Sequence, residues 1–361
     1  QPPSPNSPLL TSKGMLKMKM TNKIIILLVV LLFAGGNSIF ANESKLPEAP
    51  IYIDGEPITT KYIMRDGHLL VPALFMKHTG AYVDWDTEYR SVVFRNGSTL
   101  FALPVGKKHS DDYIGGIWRR YPLPVDTVEF LGEPFVPLID VTRKLGMSAR
   151  YDTVLNRTFI TSNIATRTNH INRKNTTEKL VALTFDDGPD HYYTPRMLDI
   201  LKEKGVRATF FVIGNQVEAF PTLMKRIVDE GHGIANHTQT HPNLRNQWSS
   251  NVRAQIMANQ STMARVVGSR PDIFRPPYGS LTKADVAVLN ELGLRNIMWS
   301  VDSVDWSGAS ADEILKTVHR DITPGGIILQ HNFQSNSRLL DGTLEALPRI
   351  IDELQARGYR F

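Results

Sequence analysis

The stretch that decides the fold is Leu180-Val181-Ala182-Leu183-Thr184-Phe185-Asp186-Asp187-Gly188-Pro189. Its apolar first half is typical of a buried strand, and Gly188-Pro189 is typical of the turn that follows a strand. The strand therefore delivers two neighbouring carboxylates, Asp186 and Asp187, to one edge of a sheet. Because two such carboxylates repel each other and lose hydration, they need a cation or a shared proton nearby.

The candidate partner for these carboxylates is His237-Thr238-Gln239-Thr240-His241, in which two histidines stand four residues apart. On one helical turn this spacing lets both imidazoles meet at a single point. Two histidines and one aspartate would give zinc three protein ligands and leave a position open for water, as in catalytic zinc sites. Either motif alone is weak evidence, since a histidine pair is often a surface pair and Asp-Asp is often a turn or a helix cap.

Three further clusters follow downstream: Phe274-Arg275-Pro276-Pro277-Tyr278-Gly279, Asp302-Ser303-Val304-Asp305-Trp306 and Ile328-Leu329-Gln330-His331. Together with the first two motifs, they make the region from Thr177 to Phe361 resemble the polysaccharide deacetylases of carbohydrate esterase family 4, the NodB homology domain. Five motifs in the same order make the resemblance specific. It covers about half of the chain.

The resemblance implies a role for each chemically active residue. Hydrolysis of an acetamide needs an activated water, a polarised carbonyl and a proton for the departing amine. Asp187, His237 and His241 match the family's metal ligands, with zinc as the expected ion and cobalt or another divalent ion as alternatives. Asp186 matches the general base. His331 matches the general acid, which suits a side chain whose pKa lies near neutrality.

Five more residues match supporting positions of the family. Arg275 is implied to orient the base, and Asp305 to orient the acid. The backbone N–H of Tyr278 is implied to stabilise the oxyanion, while Trp306 and Leu329 wall the small pocket for the acetyl methyl group. Taken singly, Arg275 is better explained as a surface cation, Asp305 as a turn residue, and Trp306 and Leu329 as core residues.

The pattern of the second half predicts an α/β fold in which short apolar strands alternate with amphipathic helices. Such units form a parallel sheet, here closed or nearly closed, with active residues at the carboxyl ends of the strands. The resemblance sharpens this to a distorted (β/α)7 barrel. Predicted strands are 180–185, 208–214, 233–236, 273–275, 296–301, 327–330 and 359–361, and predicted helices are 196–204, 223–230, 284–292 and 344–357.

The N-terminal residues predict export. Residues 1–14 are rich in Pro and Ser and read as an upstream or artefactual segment ahead of Met15. Residues 15–41 read as a signal peptide, because lysines precede the apolar run 24–34 and Ala41 offers a cleavage site. An uncleaved membrane anchor is the alternative. The sequence contains no cysteine, which excludes disulfides and a lipidated cysteine, and suits a Gram-positive surface.

A second, smaller α+β domain with an internal repeat is predicted at residues 50–162. Gly67–Pro72 and Gly132–Pro137 share a Gly-x-x-apolar-Val-Pro pattern, and each leads to an aromatic-Asp-Thr unit. The domain resembles the N-terminal domain of copper amine oxidases, a stalk-like module, although no copper ligand set is present. It is interpreted as either a wall-binding module or a structural spacer. The polar segment 163–178 reads as a linker, with the deacetylase domain at 179–361.

Charge excludes one class of function. The chain has 41 basic and 36 acidic residues, but four of its lysines lie before residue 42, where no acidic residue lies. The remainder has no basic run, so nucleic acid is not an expected partner. No protein partner is inferred either. The sequence thus favours a secreted or wall-associated enzyme whose partner is a polysaccharide.

The reaction and substrate follow from the resemblance and the predicted export. The favoured function is a metal-dependent N-deacetylase acting on N-acetylated amino sugars of peptidoglycan. Chitin oligomers, poly-N-acetylglucosamine and O-acetylated xylan are alternative substrates, since the same site can cleave esters. A catalytically silent glycan-binding wall protein is the alternative from another class.

Overall fold

The computed structural model describes residues 45–335 and 338–361. Residues 46–361 form one compact unit. The predicted upstream segment, residues 1–14, and the predicted signal peptide, residues 15–41, lie outside the described residues. Among the helices that are described, none is both long and apolar enough to cross a membrane.

The first half of this unit is built mainly from short strands. They are β1 (Glu48–Ile53), β2 (Glu56–Lys61), β3 (Ile63–Arg65), β4 (His68–Pro72), β5 (Tyr82–Asp86), β6 (Ser91–Asn96), β7 (Thr99–Pro104), β8 (His109–Ile114), β9 (Ile117–Pro122), β10 (Val128–Phe130), β11 (Glu133–Pro137), β12 (Ser148–Asp152) and β13 (Arg157–Thr161). A 3-10 helix, Ala73–Thr79, follows β4, and helix α1, Leu138–Lys144, follows β11.

These strands form three sheets with the orders β12-β13-β1-β2, β10-β11-β4-β3 and β5-β6-β7-β8-β9. The two Val-Pro segments of the sequence are the neighbouring strands β4 and β11, in which Val71 pairs with Val136. Each strand leads into a short helix, and the glycines that follow those helices, Gly80 and Gly146, have positive φ angles. That this half is a copper amine oxidase-like module with a true repeat stays a prediction.

The second half alternates parallel strands with helices. The strands are β14 (Val181–Asp186), β15 (Thr209–Val212), β16 (Gly233–Asn236), β17 (Ile273–Phe274), β18 (Arg295–Asn296), β19 (Val301–Asp302) and β20 (Gly326–His331). The helices are α2 (Tyr193–Lys204), α3 (Gly214–Ala219), α4 (Pro221–Asp229), α5 (Ser249–Val267), α6 (Lys283–Glu291), α7 (Ala311–Asp321) and α8 (Asp341–Ala356), with 3-10 turns at Leu244–Asn246, Pro277–Gly279 and Asp305–Ser307.

The seven strands form one parallel sheet in the order β18-β17-β16-β15-β14-β20-β19. β18 and β19 lie at opposite edges, yet only residues 297–300 separate them along the chain. Because so short a connection spans less than about 20 Å, the sheet cannot be flat; it curls into a half-barrel whose edge strands β18 and β19 do not pair with each other. The single strand predicted at 296–301 is therefore wrong: the chain crosses there from one edge of the sheet to the other.

Helix α2 illustrates how the sequence sets these elements. Its residues Met197, Leu198 and Leu201 are fully buried against the sheet, while the opposite face stays polar. Burying one such side chain contributes about 1.5–3 kcal/mol. The helix ends at Gly205, whose φ of 64° is the left-handed conformation that glycine adopts without steric cost.

The segment 163–178 is bonded to both halves, which differs from the loose linker that its composition predicts. Ile164 packs against the core of the first half. Further on, the Ile171 N–H donates to the Asn296 carbonyl oxygen at 2.9 Å, and the Met298 N–H donates to the Ile171 carbonyl oxygen at 2.7 Å. Polar composition alone did not reveal these backbone bonds, because any residue except proline can make them.

Candidate active site

The motifs that predict chemistry meet at one end of the parallel sheet. The carboxyl ends of parallel strands share an edge, and here the residues that follow them surround a cleft of ≈ 640 Å³. Eight of the ten predicted site residues line this cleft: Asp186, Asp187, His237, His241, Tyr278, Trp306, Leu329 and His331. The other two, Arg275 and Asp305, have no exposed surface and stand behind residues that line it.

Asp187, His237 and His241 form the centre of the cleft, with one ligand atom of each within 4.8 Å of the others. Asp187 Oδ1 lies 3.3 Å from His237 Nε2 and 3.2 Å from His241 Nε2. The two histidines do not share a helical turn, so that expectation is wrong. They lie in a loop after β16, where Thr238 and His241 have left-handed φ angles of 70° and 63°, and the His241 N–H donates to Thr238 Oγ1 at 3.0 Å.

The donor set of this centre fits a cation. His237 Nδ1 lies 2.6 Å from the backbone carbonyl oxygen of Arg275, so the proton of the neutral ring is on Nδ1. The Nε2 lone pair then faces the Asp187 carboxylate, and two acceptors come this close only with a proton or a cation between them. Asp187 Oδ1 is buried and accepts no hydrogen bond.

Asp186 is held by Arg275, whose side chain has no exposed surface. Arg275 Nη1 donates to Asp186 Oδ1 at 2.7 Å and to Thr184 Oγ1 at 2.9 Å. Its Nε and Nη2 donate to the carbonyl oxygens of Ile297 and Met298, both at 2.9 Å. The Arg275 guanidinium therefore connects β14 to residues 297–300, the segment that crosses between the two edges of the sheet. The backbone carbonyl oxygen of Arg275 also orients the His237 ring. No sequence motif reveals this backbone role.

His331 and Asp305 form a second pair in the cleft. Asp305 Oδ1 lies 2.7 Å from His331 Nδ1, and Asp305 Oδ2 accepts from the His331 backbone N–H and from Thr343 Oγ1, both at 2.9 Å. Burial alone would lower the pKa of His331, but Asp305, with smaller contributions from Asp187 and Asp186, raises it to about 10. The ring is thus charged at neutral pH, with a proton on Nε2 that it can donate.

Tyr278, Trp306 and Leu329 line the cleft, and their roles stay predictions. Tyr278 has a left-handed φ of 60°, and its ring packs edge-on against His241 at 4.9 Å between centroids. A non-glycine residue in this conformation costs on the order of 1 kcal/mol or more and is typical of functional turns. Leu329 is buried, whereas Trp306 is half-exposed.

Two supporting asparagines were not predicted. Asn332 Oδ1 accepts from the Gly188 N–H at 3.1 Å, and its Nδ2 donates to Thr194 Oγ1 at 3.0 Å. A Cβ at Gly188 would lie 2.3 Å from Asn332 Nδ2, so the turn after the two carboxylates requires glycine. Asn259 Nδ2 donates to the Thr238 carbonyl oxygen at 2.9 Å. Only the position of Asn332, directly after His331, offered a sequence signal.

Comparison with known proteins identifies the second half. Residues 173–297 match the family model described as polysaccharide deacetylase. A peptidoglycan-N-acetylglucosamine deacetylase of Bacillus cereus is 44% identical over 181 residues, which is 50% of this chain and 65% of the relative. A chitooligosaccharide deacetylase of a Bradyrhizobium species is 38% identical over 188 residues, covering 50% of this chain and 86% of the relative.

A solved structure agrees with these relatives. The crystal structure of the Bc1960 peptidoglycan N-acetylglucosamine deacetylase superposes with a TM-score of 0.52 at 42% sequence identity. The match covers 53% of this chain and 89% of that chain. At 42% identity, the two proteins are similar in sequence as well as in fold.

The chain belongs to the polysaccharide deacetylase family, carbohydrate esterase family 4, as its five motifs predict. Members of this family are hydrolases that act on the amide bonds of N-acetylated sugars, and they generally depend on a divalent metal ion. The match spans 65% of the length of the Bacillus cereus relative.

Proposed function

We propose that this chain is a secreted, zinc-dependent polysaccharide N-deacetylase that removes acetyl groups from N-acetylated amino sugars, with peptidoglycan as the favoured substrate. One observation carries the reaction type: a single cleft holds a three-residue cation site together with an arginine-held carboxylate and a charged imidazole. These are the parts that hydrolysis of an acetamide requires.

The base side of the mechanism uses the two neighbouring carboxylates differently. Asp187, His237 and His241 would hold the ion, which when bound supplies Lewis acidity toward a water molecule and the acyl carbonyl. Asp186 takes a proton from the attacking water. The Arg275 guanidinium, 2.7 Å from Asp186, stabilises the ionised carboxylate and fixes its direction.

The acid side uses the second pair. His331 gives its Nε2 proton to the amide nitrogen as the carbon–nitrogen bond breaks, so the products are acetate and the free amine of the sugar. Asp305 keeps the imidazole charged until that step and fixes its orientation. By resemblance to the family, the Tyr278 N–H would stabilise the oxyanion, and Trp306 and Leu329 would contact the acetyl methyl group; all three residues line the cleft.

The substrate proposal rests on the names of the relatives and on the predicted export. The curated relatives described above are named for peptidoglycan N-acetylglucosamine and for chitooligosaccharides, and the solved structure is named for the former. The predicted signal peptide and wall-type first half favour a wall polymer for this chain. Chitin oligomers, poly-N-acetylglucosamine and O-acetylated xylan are the alternatives.

A catalytically silent glycan-binding wall protein is the alternative from another class. Such a protein needs a cleft but has no use for a proton donor and a proton acceptor within it. Both are present here, each with a buried partner of opposite charge. Because a buried ion pair contributes little net stability, the two pairs favour catalysis over a structural role.

The proposed function is tested by measuring acetate release from purified peptidoglycan, chitin oligomers and acetylated xylan side by side. We expect release from at least one N-acetylated polymer, and fastest release from peptidoglycan. The Asp186→Asn chain serves as the control for contaminating activity. Release from xylan alone would reassign the enzyme as an esterase, and release from none would favour the silent binder.

A further inference from the structure

The first half is joined to the second through a lysine that has no exposed surface. Lys77 lies on the 3-10 helix of the first half, and its Nζ is 2.7 Å from Asp285 Oδ1 of α6, which is also fully buried. Nζ donates in addition to the backbone carbonyl oxygens of Leu244 and Gln247, both at 2.8 Å. Lysine is almost never fully buried unless it is paired, and here one carboxylate and two backbone carbonyl oxygens surround the ammonium group.

The two carbonyl oxygens belong to the segment that directly follows the second histidine of the cation site. After His241, a 3-10 turn begins at Leu244 and α5 begins at Ser249. Just before α5, Trp248 packs against the core of the first half, and its ring stacks on Trp85 at 6.1 Å between centroids. The first half therefore holds the segment between His241 and α5 at Leu244, Gln247 and Trp248.

The start of α5 is also capped from the first half. Trp248, the residue before the helix, provides no side-chain cap. Instead, Asp84 Oδ1 of β5 accepts from the Ser250 N–H at 2.8 Å, and the Val83 N–H donates to Ser249 Oγ at 3.1 Å. A carboxylate in this place stabilises a helix because the free N–H groups and the helix dipole favour negative charge.

Helix α5 in turn holds the loop between the two histidines. Gln255 Oε1 accepts from the backbone N–H groups of Gln239 and Thr240, at 3.1 and 2.9 Å. One turn later, Asn259 Nδ2 donates to the Thr238 carbonyl oxygen at 2.9 Å. A shift of α5 would therefore move the backbone that carries both imidazoles.

We propose that the first half is a positioning element of the cation site, in which Lys77 and Asp84 brace the His237–His241 loop and so raise its affinity for a divalent ion. The inference rests on the proposed function, because it presumes that this loop binds a metal. It gives residues 46–162 a task in metal binding that is independent of any contact with the cell wall. Removing a residue that orients a metal ligand typically costs about 10–100-fold in affinity.

The test measures zinc affinity in the full chain, by competition with a chromophoric chelator. Lys77→Met and Asp84→Ala should each weaken zinc binding about 10-fold or more. Asp84→Asn keeps an acceptor oxygen for the helix N-terminus and should stay within about threefold of the wild type.

Two matched controls come from the same half. Lys144 is paired with Asp112, and Asp86 accepts from the Tyr89 N–H, and none of these bonds reaches α5 or the loop. Lys144→Met and Asp86→Ala should therefore keep the zinc affinity of the wild type, even if each lowers the melting temperature of the metal-free chain.

Circular dichroism shows which variants fold. If Lys77→Met does not fold, the zinc affinity of Asp84→Ala tests the proposal alone. This variant should fold, because the Asp84 side chain is partly exposed. A folded Asp84→Ala chain that binds zinc like the wild type would overturn the proposal. If that chain also has a lower melting temperature, the role of Asp84 is purely structural. A wild-type chain that binds no zinc would instead contradict the proposed function.

Discussion

Replacing Asp305 with asparagine tests the acid side of the mechanism. In the native chain the pKa of His331 is raised from its usual 6.5 to about 10, against the effect of burial. Since a tenfold change in proton affinity is worth about 1.4 kcal/mol, this corresponds to about 5 kcal/mol in favour of the charged ring. Asp305 is the main cause, because its carboxylate lies 2.7 Å from His331 Nδ1.

The raised pKa of His331 sets the direction in which the pH profile should move. A raised pKa keeps the acid protonated at neutral pH, and without the carboxylate the buried ring loses its proton at a lower pH. The alkaline limb of kcat/KM should therefore move down by about 2 pH units or more. Asparagine also replaces a carboxylate that accepts two further hydrogen bonds, so we expect about 1–3 kcal/mol of lost stability.

The assay is a pH profile of acetate release from a chitin oligomer, with bound metal measured in each sample. Asp302→Asn is the matched control, because Asp302 lines the same cleft and accepts from the Val304 N–H rather than contacting His331. His331→Ala should lower turnover by about 10²–10⁴, and should affect acetamides more than activated esters, whose leaving group needs no proton. An alkaline limb that stays in place in folded Asp305→Asn would refute the acid role of His331.

Three substitutions and one truncation test the remaining assignments. His237→Ala should lose bound metal, whereas Asp186→Asn should keep it and be inactive; an equal loss of metal from both variants would show that the two carboxylates are not divided as proposed. Arg275→Met leaves the Asp186 carboxylate buried without its partner and should lower the free energy of unfolding, measured in urea, by about 3–5 kcal/mol. A loss below about 1 kcal/mol would mean that water reaches the ion pair. A fragment that starts at Thr177 lacks the Ile171 backbone pairing and should melt below the full chain, which equal melting temperatures would contradict.

The strands of the second half were largely predictable because their signal is local. β14 and β20 begin and end within one residue of the predicted bounds, and β16 matches at both ends. Each is a short apolar run closed by a polar motif, which is the pattern of a buried parallel strand. The place of the motifs at the carboxyl ends followed from that pattern.

Helix α5 was missed because its signal is not local. Its buried positions Val252, Ile256 and Met263 are separated by polar residues, and one of its buried residues, Asn259, is itself polar. Its N-terminal cap comes from Asp84, more than 160 residues earlier in the chain. Sequence reasoning that looks for a cap beside the helix cannot find it.

The histidine pair was placed on a helix for a related reason. A spacing of four residues is typical of a helical turn, but Thr238 and His241 have left-handed backbones, which the bonds to α5 and to Thr238 Oγ1 hold in place. Lys77 was likewise not singled out, because a lysine in a short helix is usually a solvated charge. Its partners lie in the other half of the chain and are known only once the two halves are packed.

Zinc titration into metal-stripped protein, with acetate release followed at each step, tests the central claim most directly. The structure brings together one set of three ligands, Asp187, His237 and His241, among residues 45–335 and 338–361. Activity on an N-acetylated amino sugar polymer should therefore be absent without metal, rise in proportion to added zinc, and reach its plateau at one ion per chain. Full acetate release from the metal-free protein, or none at one zinc per chain, would contradict it.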